Sequence, residues 1–209
     1  MNYVFDFGSV LFRWRPRVLM QKVLPHLAVD EASADHWVAQ VFQGFGGDWA
    51  EFDRGTVEPD DLSSRIVART GLVAADVQRL LDEIPHELAP IPETVQMLER
   101  LRRAGKPMFY LSNMPAPYAD HLERSHDVVQ AFDDGVFSAR VKLIKPEPAI
   151  FALSQQQFGV PPEALVFLDD NAHNIDAARA AGWNAVLFKD AAQAEGELRQ
   201  AGWWPAASD

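Results

Sequence analysis

Short apolar runs alternate with helix-patterned stretches at both ends of the chain, and a long segment between them holds none. The runs are "YVFDF" at 3–7, "PMFYLS" at 107–112, a short one near "GVFSA", "ALVFLDD" at 164–170 and "NAVLF" at 184–188. Nearly continuous Val, Leu and Phe mark strands buried on both faces. Their alternation with helices requires crossover connections, and hence parallel pairing. The expected fold is α/β, a doubly wound parallel sheet with a Rossmann-like core. Helices are expected from Glu93 to Ala104 with a stop at Gly105, after Pro117, in "EPAIFALSQQQFG", in "NIDAARAAG" and up to about Ala201.

From about Arg17 to Leu88 the patterning is helical, with starts at Asp30 and at Pro59-Asp60. This segment reads as an inserted module. The proline-rich "IPHELAPIPE" at 84–93 reads as the linker that returns to the first unit. The expected division is therefore an α/β core of residues 1–16 and 89–209 with a helical cap over 17–88. "FQGFGGDW" at 42–49 is rich in Gly but lacks the strand-to-helix setting of a phosphate loop, so it reads as a turn between cap helices.

Composition narrows the function. At 209 residues, 48% of them hydrophobic, the chain can bury a full core. A net charge of −11 argues against nucleic acid or an anionic membrane as partner, since both demand a basic face. No run of about 18 apolar residues and no leader pattern stands in the sequence, which points to the cytoplasm. The absence of Cys removes disulfides, thiolate nucleophiles and cysteine-ligated zinc. His26, His36, His86, His121 and His126 show no paired ligand spacing, so a zinc site is not expected. The Trp203-Trp204 pair packs either on the sheet or on a second subunit, and the expected state is a monomer or homodimer.

In a doubly wound sheet, ligands bind at the carboxyl ends of the strands. Asp6 ends the first run, Ser112 and Asn113 end "FYL", and Asp169 and Asp170 end "LVFL". Lys145, in "LIKPEPAIF", precedes a helix start and can reach the same edge. Asp6 is either a core carboxylate with a partner or the cap of the following turn; burial without a partner would be costly. Carboxylates gathered this closely repel one another unless a cation joins them. A hard-oxygen set with open positions suits Mg²⁺ together with a phosphate. Of the adjacent acids, Asp169 reads as the structural one. His173 reads as a solvated helix-start residue. Arg13 and Arg15 either help recruit a phosphate or flank a packed Trp14.

Four segments then resemble, in order, the motifs of the haloacid dehalogenase superfamily: "FDFGSVL", "YLSN", "KPEPAIF" and "FLDDNAHNIDAARAAG". The segment "WAEFDRGTVEPDDL" is similar to a cap segment of the glucose-1-phosphate phosphatase-like, sugar-phosphate branch. This resemblance implies a phosphatase with Asp6 as nucleophile and Ser112, Asn113 and Lys145 as phosphate-binding groups. It also implies Mg²⁺ on Asp6, the backbone carbonyl of Gly8 and Asp170, and a small phosphorylated metabolite as substrate. A carboxylate nucleophile divides ester hydrolysis into formation and breakdown of an aspartyl phosphate. Two alternatives stay open: a metal-free 2-haloacid dehalogenase attacking carbon, and a catalytically weak relative that binds a phosphate ligand. A phosphomutase is a lesser possibility. Most phosphatases of the family carry an acid two residues after the nucleophile, where this chain has Gly8. The expectation is a preference for good leaving groups, unless His173 or a cap residue supplies the proton.

Overall fold

The computed structural model describes residues 1–44 and 46–206. Five strands, β1 (Asn2–Phe5), β2 (Met108–Ser112), β3 (Asp134–Phe137), β4 (Leu165–Asp169) and β5 (Asn184–Leu187), form one sheet. Its order is β3-β2-β1-β4-β5, with every neighbouring pair parallel. The chain fills one side of β1 and then the other, so the topological switch point falls between β1 and β4. Phe5 lies opposite both Tyr110 and Leu168, and the Asp6 N–H still donates to the Leu168 carbonyl at 2.9 Å. Asp6 and Asp169 therefore emerge level at the carboxyl edge.

Between β1 and the rest of the sheet lie α1 (Pro16–Val23), α2 (Glu31–Phe42), α3 (Gly47–Arg54), α4 (Pro59–Thr70) and α5 (Ala74–Glu87). The sheet is flanked by α6 (Pro92–Arg103), α7 (Ala116–Ser125), the short α8 (Ser138–Val141), α9 (Pro148–Phe158), α10 (Ala172–Ala180) and α11 (Ala191–Gln200). Asp30 caps α2 with a reciprocal Ser33 capping box, as its place before the apolar pattern predicts. The Gly-rich turn at 42–49 does separate α2 from α3, with Gln43 and Gly44 in left-handed conformations; Phe45 lies outside the described residues.

Side chains alternate across the strands. Tyr3, Phe5, Tyr110, Val166 and Leu168 point into an apolar cluster shared with α6, α11 and the helices of the insert, including Leu62, Ile66, Val77 and Leu80. Val4, Phe109, Leu111 and Phe167 point to the other face, against Ile150 and Phe151 of α9 and Ile175 and Ala178 of α10. Trp203 and Trp204 pack on the first cluster within this chain, with Arg100 and Arg199 over the Trp204 ring at 5.9 and 5.1 Å.

One expectation is corrected. The segment at 84–93 is not a linker throughout: α5 continues to Glu87 with Pro85 inside it, and α6 begins at Pro92. Proline removes the N–H that would bond the carbonyl four residues back. That carbonyl, on Leu81, accepts instead from the Tyr118 hydroxyl of α7 at 3.2 Å, so the last turn of α5 survives. Strand β1 also ends at Phe5, one residue before the carboxylate.

Candidate active site

Asp6, Lys145 and Asp169 form the centre of the carboxyl edge. The Lys145 ammonium lies 2.9 Å from Asp6 Oδ1 and 2.6 Å from Asp169 Oδ2. The lysine is 1% exposed and Asp169 is fully buried, so this bridge is shielded from water and salt. Asp6 Oδ1 also accepts the Phe7 N–H at 2.7 Å, which leaves Oδ2 as the oxygen turned to other partners. Asp169 accepts the Asn171 N–H at 2.8 Å and the Asn174 amide at 3.0 Å on each oxygen. Asp169 is thus the residue that holds Lys145 in place, and Asn174 supports it. Asn113 and Lys145 exchange hydrogen bonds: the Lys145 N–H donates to Asn113 Oδ1 at 2.8 Å, and the Asn113 amide donates to the Lys145 carbonyl at 3.0 Å. The loop carrying the lysine is fastened in this way to the end of β2.

The electrostatics follow from burial. Loss of water pushes the Asp6 carboxyl up to about 7; Asp169 and Asp170 add to the effect, and Lys145 opposes it. Burial disfavours the charge on Lys145, but the two carboxylates outweigh it and hold the ammonium above its ordinary range. Asp170 is also raised, first by burial and then by Asp169. Three carboxylates face one ammonium. Oxygens of Asp6, Asp169 and Asp170 all lie within 4.8 Å of one another. This hard-oxygen set fits Mg²⁺, which takes carboxylates together with a substrate phosphate. Among the described residues, the Ser112 hydroxyl, buried at the end of β2, has no hydrogen-bond partner, and neither does Asn174 Oδ1. Ser112 does not line the cavity over this edge; its unpaired hydroxyl is able to donate to an oxyanion, and the unpaired Asn174 oxygen to accept from a hydrated cation.

A cavity of about 550 Å³ opens over this edge. Asp6, Gly8, Asn113, Lys145, Asp170 and Asn174 form its floor. Trp14, Val38, Ala39, Phe42 and Trp49 form an apolar wall, in which Phe42 meets Trp14 and Trp49 edge-on at 5.2 and 4.6 Å. Arg13 and Arg15 do not line it; Arg15 pairs with Glu87 at 2.6 Å, which leaves Trp14 as the residue of that segment facing the cavity. His173 is exposed on α10 and does not line it either.

Among the lining residues that escape the sequence reading is a carboxylate, Asp53, near the end of α3. Burial pushes its carboxyl up to about 8, with Asp6 adding to the rise and Lys145 opposing it. Its position is fixed by its neighbours. Arg54 forms a two-pronged pair with Glu147 at 2.8 and 2.6 Å, on the loop that carries Lys145. The Ser138 hydroxyl donates to the Asp53 carbonyl and the Lys142 ammonium to the Gly55 carbonyl. Gly55 has φ 75°, and a Cβ there would come within 2.6 Å of the Ala139 carbonyl, so only glycine allows this approach of insert to core. The signal available in the sequence was the "FDRG" stretch, an acid next to a helix-stopping glycine.

The pattern of the haloacid dehalogenase-like hydrolases matches residues 2–182. A sesquiterpene phosphatase of Aspergillus oryzae is 27% identical over 94% of this chain and 94% of its own length. An (S)-2-haloacid dehalogenase of a Pseudomonas species is 31% identical over 67% of this chain and 61% of its own length. Among solved structures, a HAD family enzyme from Bacteroides thetaiotaomicron, in complex with magnesium and inorganic phosphate, superposes with a TM-score of 0.72. It is 20% identical and covers 90% of this chain and 94% of its own.

Proposed function

Because the chain belongs to the haloacid dehalogenase-like hydrolases, we propose that it is a magnesium-dependent phosphatase acting on a small phosphorylated metabolite through an aspartyl phosphate on Asp6. The observation that carries this reading is the buried bridge from Lys145 to Asp6 and Asp169, with Asp170 beside it lining the cavity. A dehalogenase attacking carbon needs no second acid at this edge, whereas a metal and a phosphate do. Asp6 and Asp170, with the Gly8 carbonyl, would hold Mg²⁺. When bound, the ion supplies positive charge that lowers the repulsion between a carboxylate nucleophile and a phosphate. Lys145 keeps Asp6 oriented, opposes the rise that burial imposes on its carboxyl, and adds its own charge. The unpartnered Ser112 hydroxyl and the backbone around Asn113 donate to the phosphoryl oxygens. Residues 17–88 act as a cap over the core of 1–16 and 89–209, and the cytoplasm remains the setting proposed.

The cap segment suggests a sugar phosphate, but the wall of Trp14, Val38, Ala39, Phe42 and Trp49 favours a leaving group with an apolar body. The test is a panel of phosphate esters, from acetyl phosphate and sugar 1-phosphates to aryl and long-chain alkyl phosphates, assayed with Mg²⁺ and with EDTA. Metal-dependent release of phosphate supports the reading. Release of chloride from 2-chloropropionate in EDTA, with no phosphatase activity, would replace it with the dehalogenase.

A further inference from the structure

The first motif leaves the reaction without an acid at Gly8, and the cavity is lined by two carboxyl groups that the steps above do not use: Asp35, which is paired with Arg17 at 2.7 Å, and Asp53. We propose that Asp53, carried into the cavity by α3, donates the proton to the leaving oxygen and takes it back from the attacking water. The proposal rests on the phosphatase reading and adds a residue to it.

Three observations carry it. Asp53 and Gly8 line the same 550 Å³ cavity, and they line together a second one of about 110 Å³ beside Trp14, Trp49 and Asn113. A side chain could start at position 8 without a clash: a Cβ on Gly8 would meet only the Trp14 Cβ, at 4.0 Å. The backbone around Asp53 is tied to the core at Glu147, Ser138 and Lys142. Those ties run to the segment that carries Lys145, so a substrate held by the lysine is held in register with Asp53. The charged and titratable groups acting on it are Lys145 and Asp6 from the floor, while it acts in turn on Tyr118 of α7. Burial outweighs Lys145 here and favours the protonated form needed by a donor.

The steps balance. Asp6 Oδ2 forms a bond to phosphorus as the bond to the ester oxygen breaks, and the Asp53 proton moves to that oxygen, releasing a neutral alcohol. Water then attacks the phosphorus of the aspartyl phosphate and gives its proton to the Asp53 carboxylate. Inorganic phosphate leaves, with Asp6 ionised and Asp53 protonated as at the start.

The experiment compares wild type and Asp53→Asn on acetyl phosphate, 2,4-dinitrophenyl phosphate, phenyl phosphate and a primary alkyl phosphate. General acid catalysis is typically worth about 10² to 10⁴ in rate. The variant is expected to lose about 10²-fold or more on the alkyl ester and less than about tenfold on the two activated esters, which also show that it is folded. Installing Gly8→Asp in the variant should recover part of the alkyl activity. An equal loss on every ester would overturn the proposal. Wild type alone provides a second test that needs no variant: kcat/KM should depend weakly on leaving-group basicity, and a steep fall toward the alkyl ester would also overturn it. If no ester is hydrolysed, acetyl phosphate included, the phosphatase reading itself has failed, which is a separate result.

Discussion

The two walls of the cavity are built on opposite principles. The floor is polar and fully constrained: Lys145, Asp169, Asn113 and Asn174 hold one another through five hydrogen bonds of 2.6 to 3.0 Å, around a lysine that is 1% exposed. The wall from the insert is aromatic and aliphatic, and its polar contribution is Asp53 together with Asp35, itself paired with Arg17 at 2.7 Å. A network of buried charges tolerates few alternatives, because removing one member strands the others. An apolar wall can change residue by residue at modest cost. In the proposed reaction the floor would fix the chemistry and the insert would select the leaving group.

The comparison can be broken at the floor first. Asp6→Asn keeps the shape of the side chain and removes the nucleophile, so turnover should fall below about a hundredth of wild type while the protein stays folded, since Asp169 still pairs with Lys145. Substantial residual turnover would remove Asp6 from its role. Asp170→Asn, or chelation, should also abolish activity, with Mg²⁺ restoring the chelated enzyme and Ca²⁺ failing to, since Ca²⁺ favours more ligands in looser geometry. Lys145→Met should cost about 3–5 kcal/mol of stability in denaturant titration, because it leaves Asp6 and Asp169 buried without their cation.

At the insert wall the effects are smaller and depend on substrate. Ala39→Leu narrows the cavity and should raise KM for long-chain and aryl esters several-fold while leaving acetyl phosphate unaffected. The smallest effect is on pH dependence. Asp53 has an ordinary value of 3.8 and is pushed up to about 8, so between these limits the folded protein binds more proton than the unfolded chain. Its contribution therefore weakens as pH rises through that window. Metal-free protein should lose stability from pH 5 to 8, and Asp53→Asn should flatten part of that slope in thermal melts.

The floor was legible in the sequence and the wall was not. Apolar runs ending in Asp6, Ser112-Asn113 and Asp169-Asp170 announce both the strands and the edge on which they meet, because buried parallel strands need continuous apolar residues and an acid at their end needs a reason. Asp53 sits instead on an amphipathic helix between the buried Phe52 and the ion-paired Arg54, where an acid looks like part of a solvated face. Its position is set by the pairing of the neighbouring Arg54 with Glu147 and by the Ser138 hydroxyl that donates to its own carbonyl, both more than eighty residues away. Pro85 misled for the same reason: the hydroxyl that rescues its helix belongs to Tyr118, and no local pattern reports it.

The account stands most directly on where the phosphoryl group goes. Acid-quenched single turnovers of acetyl phosphate with excess enzyme and Mg²⁺, followed by borohydride reduction and peptide mapping, would find it. The account predicts homoserine at position 6, formed by reduction of the aspartyl phosphate, with no such product in Asp6→Asn or in EDTA. Phosphate release with the label on another residue, or undiminished turnover in Asp6→Asn, would contradict it.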